Sequence, residues 1–132
     1  MNNYILYKIY YRDELAYIGR TTQDLKNRLR MHFFHTNKIV KQLDILQVTK
    51  IEYTVLNTQA DMYLYEIYLI NLYHPPCNVD DNAKDDLSDF IVLPKLEFYE
   101  YKDPIIDKWK AKQIEHLIDT TPLDYSDEAF WI

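Results

Sequence analysis

The chain has 132 residues, 48% hydrophobic and 27% charged, a balance ordinary for a globular protein and a length that fits one domain with or without an appendage. It contains no run of about eighteen apolar residues, which excludes a membrane-spanning helix, and its single cysteine, Cys77, excludes an internal disulfide. The net charge of −6 is uneven: residues 1–79 carry nine Lys/Arg and seven Asp/Glu, a net of +2, and residues 80–132 carry six and fourteen, a net of −8. Such asymmetry suggests a part that faces nucleic acid and an acidic part that does not. The start, Met1-Asn2-Asn3-Tyr4, has no basic region or apolar stretch of a secretory signal. A lone Cys beside Pro75-Pro76 reads as packing, and a cytoplasmic location is the expectation.

Residues 4–11 are aromatic and β-branched, which predicts a strand. Arg12-Asp13-Glu14 interrupts it, and Leu15-Ala16-Tyr17-Ile18 resumes the apolar character, so the segment reads as a β-hairpin. A loop over residues 11–13 would pair Tyr10 with Glu14 and set Tyr7 opposite Tyr17, projecting two phenols from one face. Gly19 follows. It is the only glycine, where average usage of about 7% would give roughly nine. Glycine permits positive φ, and its missing Cβ lets another group approach the backbone; a plain strand-end turn is the simpler alternative.

Thr21-Thr22-Gln23-Asp24 reads as a helix start, with the helix running to about His35. Leu25 and Leu29 head its inward stripe, and Arg28 and His32, four apart, share a face. Arg20, Lys26, Arg28 and Arg30 make this the most basic part of the chain. Thr36 is a candidate cap for a short helix over Lys38–Leu46. Residues 50–56 alternate polar and apolar as a third strand, and Thr58-Gln59-Ala60-Asp61 resembles a capping box. The helix it opens runs to Tyr73 and stops at Pro75-Pro76. Almost every residue of that helix is apolar or aromatic except Glu66. A carboxylate in such surroundings must be paired, protonated or metal-bound unless it lies on an exposed helix edge.

Beyond Asp80 come an acidic connector, two segments at Phe90–Leu93 and Leu96–Tyr101 suited to short strands or extended packing, and Asp103-Pro104 opening a helix to about Ile118. No repeat or low-complexity tract is present.

Tyr7, Tyr17, Arg20, Arg28, His32, Glu66 and Asn78 suit phosphodiester hydrolysis. A carboxylate can hold a divalent metal, an arginine fork matches phosphate oxygens, and a phenol becomes a useful base when nearby positive charge favours its anion.

Ile5-Leu6-Tyr7 and Tyr17-Ile18-Gly19, ten residues apart, resemble the two halves of the GIY-YIG nuclease signature. The resemblance continues through Asp24-Leu25-Lys26-Asn27-Arg28, His32, Glu66 and Pro75-Pro76-Cys77-Asn78, in the family's order. It implies an α/β (α+β) sandwich with a three-stranded antiparallel sheet flanked by helices, a nuclease-like domain over residues 1–79, and cleavage that depends on Mg²⁺ or Mn²⁺. It assigns Glu66 as metal ligand, Arg28 as the phosphate-stabilising arginine, Tyr17 as general base with Tyr7 supporting or exchanging roles, and His32 as a group that orients or relays protons. Gly19, Arg20 and Asn78 fall on the substrate side, Asn78 matching a structural asparagine of the family. Ile5 replaces the first glycine of the signature without removing a chemical group. The implied partner is nucleic acid, with DNA as the expected substrate and a mobile element, phage or defence system as the setting.

Residues 80–132 lie outside the resemblance and form an acidic, partly helical extension. It is expected to pack on the core, to mediate self-association or protein binding, or to cover the basic face. A catalytically silent module that binds nucleic acid or a protein is the alternative to an enzyme, and an acidic mimic of nucleic acid is a third reading.

Overall fold

The computed structural model describes residues 3–34, 40–81 and 86–118. The described residues form two compact units: one comprises those up to Asp24 with those of Val48–Tyr101, and the other comprises those of Leu25–Gln47 with those from Lys102 to Ile118. Both units draw on both sides of residue 79.

The first unit is built on an antiparallel sheet. Strands β1 (Tyr4–Tyr11) and β2 (Glu14–Thr21) form the hairpin, β3 (Val48–Leu56) pairs with the other edge of β1, and a two-residue β4 (Tyr99–Glu100) pairs with β3. The order is β2-β1-β3-β4, so the expected three-stranded sheet gains a fourth strand from the Leu96–Tyr101 segment. Phe90–Leu93 forms no strand.

The hairpin register differs from the expected one. Tyr11 pairs with Glu14 around a two-residue loop, and the register shifts so that Ile9 pairs with Tyr17 and Tyr7 with Gly19. One local and one tertiary device accompany this. Arg12 and Asp13 both adopt positive φ, 49° and 66°, as a two-residue hairpin turn requires. The Asp13 N–H donates to Thr49 Oγ1 at 2.9 Å, a tertiary contact that supports a turn lacking the usual Asn-Gly. Ala16 is then the extra residue of a bulge. Tyr7 and Tyr17 still share a face, because Tyr17 lies two residues before Tyr7's partner Gly19.

Helix α1 (Leu25–Phe33) belongs to the second unit, and α2 (Gln59–Tyr73) to the first. Thr58 caps α2, its side chain accepting from the Asp61 N–H at 3.0 Å. His74 ends it in the left-handed conformation, φ 46°, just before the two prolines. On the sheet, Leu6, Ile18 and Leu56 pack with Met62, Leu69 and Ile70 of α2, and Leu96 and Phe98 lie against this core.

In the second unit, α1 buries Leu25, Leu29, His32 and Phe33. Helix α3 (Ile105–Ile118) starts at Asp103, whose carboxylate accepts from the Ile105 N–H at 2.9 Å. Its Trp109 is fully buried and meets Phe33 and Phe34 edge-on, with ring centroids 6.3 and 5.8 Å away. Of the helix expected over Lys38–Leu46, Lys38 and Ile39 lie outside the described residues, as does the proposed cap Thr36, and residues 40–44 are not helical. Asp44 instead accepts from the Leu46 N–H at 3.0 Å and opens a single 3₁₀ turn, Ile45–Gln47; such an aspartate loop competes with helix.

Candidate nuclease site

The pleat of β2 turns alternate side chains to opposite faces, with Tyr17 and Gly19 on one and Ile18 and Arg20 on the other. Tyr7, opposite Gly19 in β1, joins the first face. The two tyrosine rings lie 6.2 Å apart between centroids, inclined by 43°, and both residues are buried.

Gly19 makes room for them. A Cβ there would sit 2.5 Å from both Cζ and Oη of Tyr7 and 2.7 Å from Cε2 of Tyr17, closer than any side chain tolerates. No glycine adopts positive φ, so of the two uses a lone glycine can have, the structure displays close approach and not a left-handed turn. The group that approaches is the protein's own phenol.

On the other face, Arg20 Nε donates to Glu66 Oε1 at 2.9 Å. The guanidinium carbon also stands 4.2 Å from the centre of the Tyr63 ring. The Arg20 and Glu66 side chains are 43% and 19% exposed. The carboxylate in its apolar helix is therefore partly solvated and paired, which resolves the cost of placing it there. Tyr63, three residues before Glu66 and hence on the same side of α2, was not among the expected site residues; its position one turn before Glu66 is the signal that marks it.

Asn78 lies in the 3₁₀ segment Pro76–Asp81 and is fully buried. Its Oδ1 accepts from the Ile18 N–H at 2.8 Å, and its Nδ2 donates to the Ile18 carbonyl at 2.9 Å. Strand β2 is an edge, and an edge strand leaves half its backbone groups without a strand partner. The Asn78 amide supplies one at the residue between Tyr17 and Gly19. With both ends of its amide on Ile18, Asn78 holds the strand that carries Tyr17 and Gly19.

Arg28 and His32 project from α1 in the second unit, one helical turn apart. His32 is buried, and its Nδ1 bonds the Lys41 carbonyl. A carbonyl only accepts, so Nδ1 carries the hydrogen in this contact. The first unit thus carries Tyr7, Tyr17 and Gly19 on one face of the sheet and Arg20 with Glu66 on the other, with Asn78 holding the edge of β2 at Ile18 between them, while α1 carries Arg28 and His32.

A model of the UvrC-like GIY-YIG domain matches residues 5–79. The chain belongs to the GIY-YIG family. The GIY-YIG segment is 34% identical over 77 residues to the UvrABC system protein C of a Cyanothece strain, covering 57% of this chain and 12% of that protein. It is 35% identical over 69 residues to UvrABC system protein C of Limosilactobacillus reuteri, covering 51% of this chain and 11% of the other. An uncharacterized Bacillus subtilis protein, YurQ, is 32% identical over 77 residues, covering 58% of this chain and 59% of its own length. The matched segment thus spans about an eighth of the UvrC proteins. No solved structure matches the chain at a significant level.

GIY-YIG nucleases generally use divalent metals. Among the described residues no three His, Cys, Asp or Glu side chains gather as a metal cluster, a donor set unlike that of zinc. Mg²⁺ and Mn²⁺ accept hard oxygen donors, and Mg²⁺ binds through one or two carboxylates while keeping several waters. A partly exposed Glu66 carboxylate fits such an ion, with Arg20 as its competitor. Among the described residues, no helix is long and apolar enough to cross a membrane.

Proposed function

We propose that this chain is a divalent-metal-dependent endonuclease that hydrolyses phosphodiester bonds, with DNA as substrate. The observation that carries the reading is the junction at Gly19: two buried phenols close over the glycine, and the next residue, Arg20, reaches Glu66, the lone carboxylate of the apolar stretch that follows Asp61 in α2.

In this reading Glu66 holds a hydrated Mg²⁺ or Mn²⁺, which when bound supplies charge stabilisation at the phosphate and a more acidic water. Tyr17, as its phenolate, takes a proton from the attacking water and becomes the neutral phenol, and Tyr7 fixes the Tyr17 ring against Gly19. Arg20 offers guanidinium hydrogens to phosphate oxygens. The family resemblance assigns Arg28 to stabilising charge on the phosphate and His32 to orienting or relaying protons. Asn78 acts as a positioning residue through Ile18. Residues 1–79 carry this chemistry, and the acidic extension supports it through Leu96 and Phe98 in the first unit and Trp109 in the second. A cytoplasmic setting accompanies the reading.

The test is cleavage of supercoiled plasmid in Mg²⁺, Mn²⁺ or EDTA, beside Glu66→Ala and with single-stranded RNA as a second substrate. Nicking of DNA that requires metal and disappears in Glu66→Ala is the expected result. Binding of nucleic acid without cleavage in any metal would replace the enzyme by a silent module of the same fold, and equal activity in both proteins would mark a contaminant.

A further inference from the structure

We propose that Arg20 makes metal binding depend on phosphate: it occupies Glu66 in the resting protein, excludes the metal, and gives up the carboxylate when a phosphodiester takes the guanidinium. The inference rests on the reading of Glu66 as the metal ligand and adds a second role to Arg20.

Three observations lead to it. Arg20 Nε holds Glu66 Oε1 at 2.9 Å, so the oxygen donor and a positive charge already form a neutral pair. A divalent cation joining Glu66 must break this contact or sit within a few ångströms of the guanidinium, and cations so placed repel strongly. The pair is also open to exchange, because the Arg20 side chain is 43% exposed, and exposed ion pairs are held only weakly.

The third observation is Tyr63. Its ring lies under the guanidinium, 4.2 Å from the Arg20 carbon, and forms a support that does not depend on Glu66. Arginine makes both contacts at once, and the aromatic one survives when the carboxylate is given up. Nε–H is spent on Glu66, and the Nη hydrogens remain for an incoming phosphate, whose planar recognition by arginine matches that of a carboxylate. A phosphate on Arg20 neutralises the charge that opposes the metal and competes with Glu66 for the same fork. Metal and substrate then bind with positive coupling, and linkage makes the coupling reciprocal. A lysine would lack both the fork and the flat stack on Tyr63.

The test is calorimetric titration of Mn²⁺ into the full chain, without nucleic acid, for the natural protein, Arg20→Met and Glu66→Gln. The expected result is that Arg20→Met tightens Mn²⁺ binding roughly tenfold or more, the scale of a unit charge beside a divalent ion near a protein surface, and that Glu66→Gln abolishes binding. In a second arm, dimethyl phosphate tightens Mn²⁺ binding to the natural protein and leaves Arg20→Met unchanged. Unchanged or weaker Mn²⁺ binding in Arg20→Met, with binding still lost in Glu66→Gln, overturns the gate and leaves Glu66 as the ligand. Mn²⁺ binding that survives Glu66→Gln, or is missing from all three proteins, overturns the ligand reading and the gate with it.

Discussion

Asn78 pairs with Ile18 as a neighbouring strand would, giving one acceptor and one donor to the backbone of a residue 60 positions earlier. The contact is buried, and it fixes the peptide between Tyr17 and Gly19. Asn78→Ala leaves the Ile18 N–H and carbonyl without these partners, at a cost of about 2–4 kcal/mol for the two groups. Asn78→Asp keeps the acceptor but turns a carboxylate toward the Ile18 carbonyl. Burial and the facing carbonyl raise the new carboxyl above its unfolded value, so that variant should recover part of its loss as pH falls towards about 4, where a protonated acid donates again. Urea unfolding of both variants across pH 3–7 checks this, and a loss in Asn78→Asp that is flat with pH would count against the pairing.

Gly19→Ala brings no backbone strain, because Gly19 lies outside the positive-φ region. Its cost comes from the Tyr7 and Tyr17 rings, 2.5 and 2.7 Å from the new methyl. Overpacking of this kind destabilises by about 1–3 kcal/mol. In a Tyr7→Ala background the methyl has space, so the same substitution should cost at least about 1 kcal/mol less. A double-mutant cycle by denaturant unfolding measures this coupling; strict additivity would show that the glycine serves something other than the phenol. With the bulkier Gly19→Val, cleavage should fall further than stability, since the rings that move are the proposed catalytic ones.

The sheet, α2 with its Thr58 cap, and the α3 start at Asp103 were legible because each rests on local signals: β-branched and aromatic runs, cap residues and prolines. The hairpin register was not. It turns on Arg12-Asp13 accepting positive φ with help from Thr49, and a contact 36 residues away leaves no mark in the hairpin's own sequence. The lone glycine flagged the right place, but whether it served φ or proximity depended on that register. Glu66 was visible as an anomaly in an apolar helix, whereas its partner Arg20 came from a strand 46 residues earlier. The short fourth strand was legible only as an extended segment, since two residues carry too little pattern to specify pairing.

Trp109 tests what the acidic extension contributes to the helix that bears Arg28 and His32. It is fully buried against Phe33 and Phe34, yet its indole Nε1 is a buried side-chain donor with no hydrogen-bond partner in the structure. Trp109→Ala should destabilise by about 3–5 kcal/mol. Trp109→Phe should cost clearly less, because it keeps most of the apolar contact and removes a donor whose burial is itself unfavourable. Deleting the chain from Lys102 onward uncovers both phenylalanines and should increase binding of a hydrophobic dye. Equal losses for the two Trp109 variants would mean that the indole nitrogen is satisfied in solution.

Tyr10 should make stability fall at alkaline pH. Burial, and then its hydrogen bond to Glu52 Oε1 at 2.8 Å, raise its ionisation well above the usual tyrosine value of 10. The folded state therefore keeps the phenolic proton at pH values where the unfolded chain loses it. Its contribution is complete below about pH 10 and is lost progressively as pH rises from there towards the folded pKa. Tyr10→Phe removes the titration. Other alkaline groups titrate in both proteins, including Lys8, whose burial lowers its pKa, so the informative quantity is the difference between them. That difference should be constant from pH 7 to 9 and shift by roughly 1 kcal/mol in favour of Tyr10→Phe by pH 11. Urea unfolding at fixed ionic strength measures it, and parallel stability curves through pH 11 would show that the Tyr10–Glu52 bond does not hold the proton.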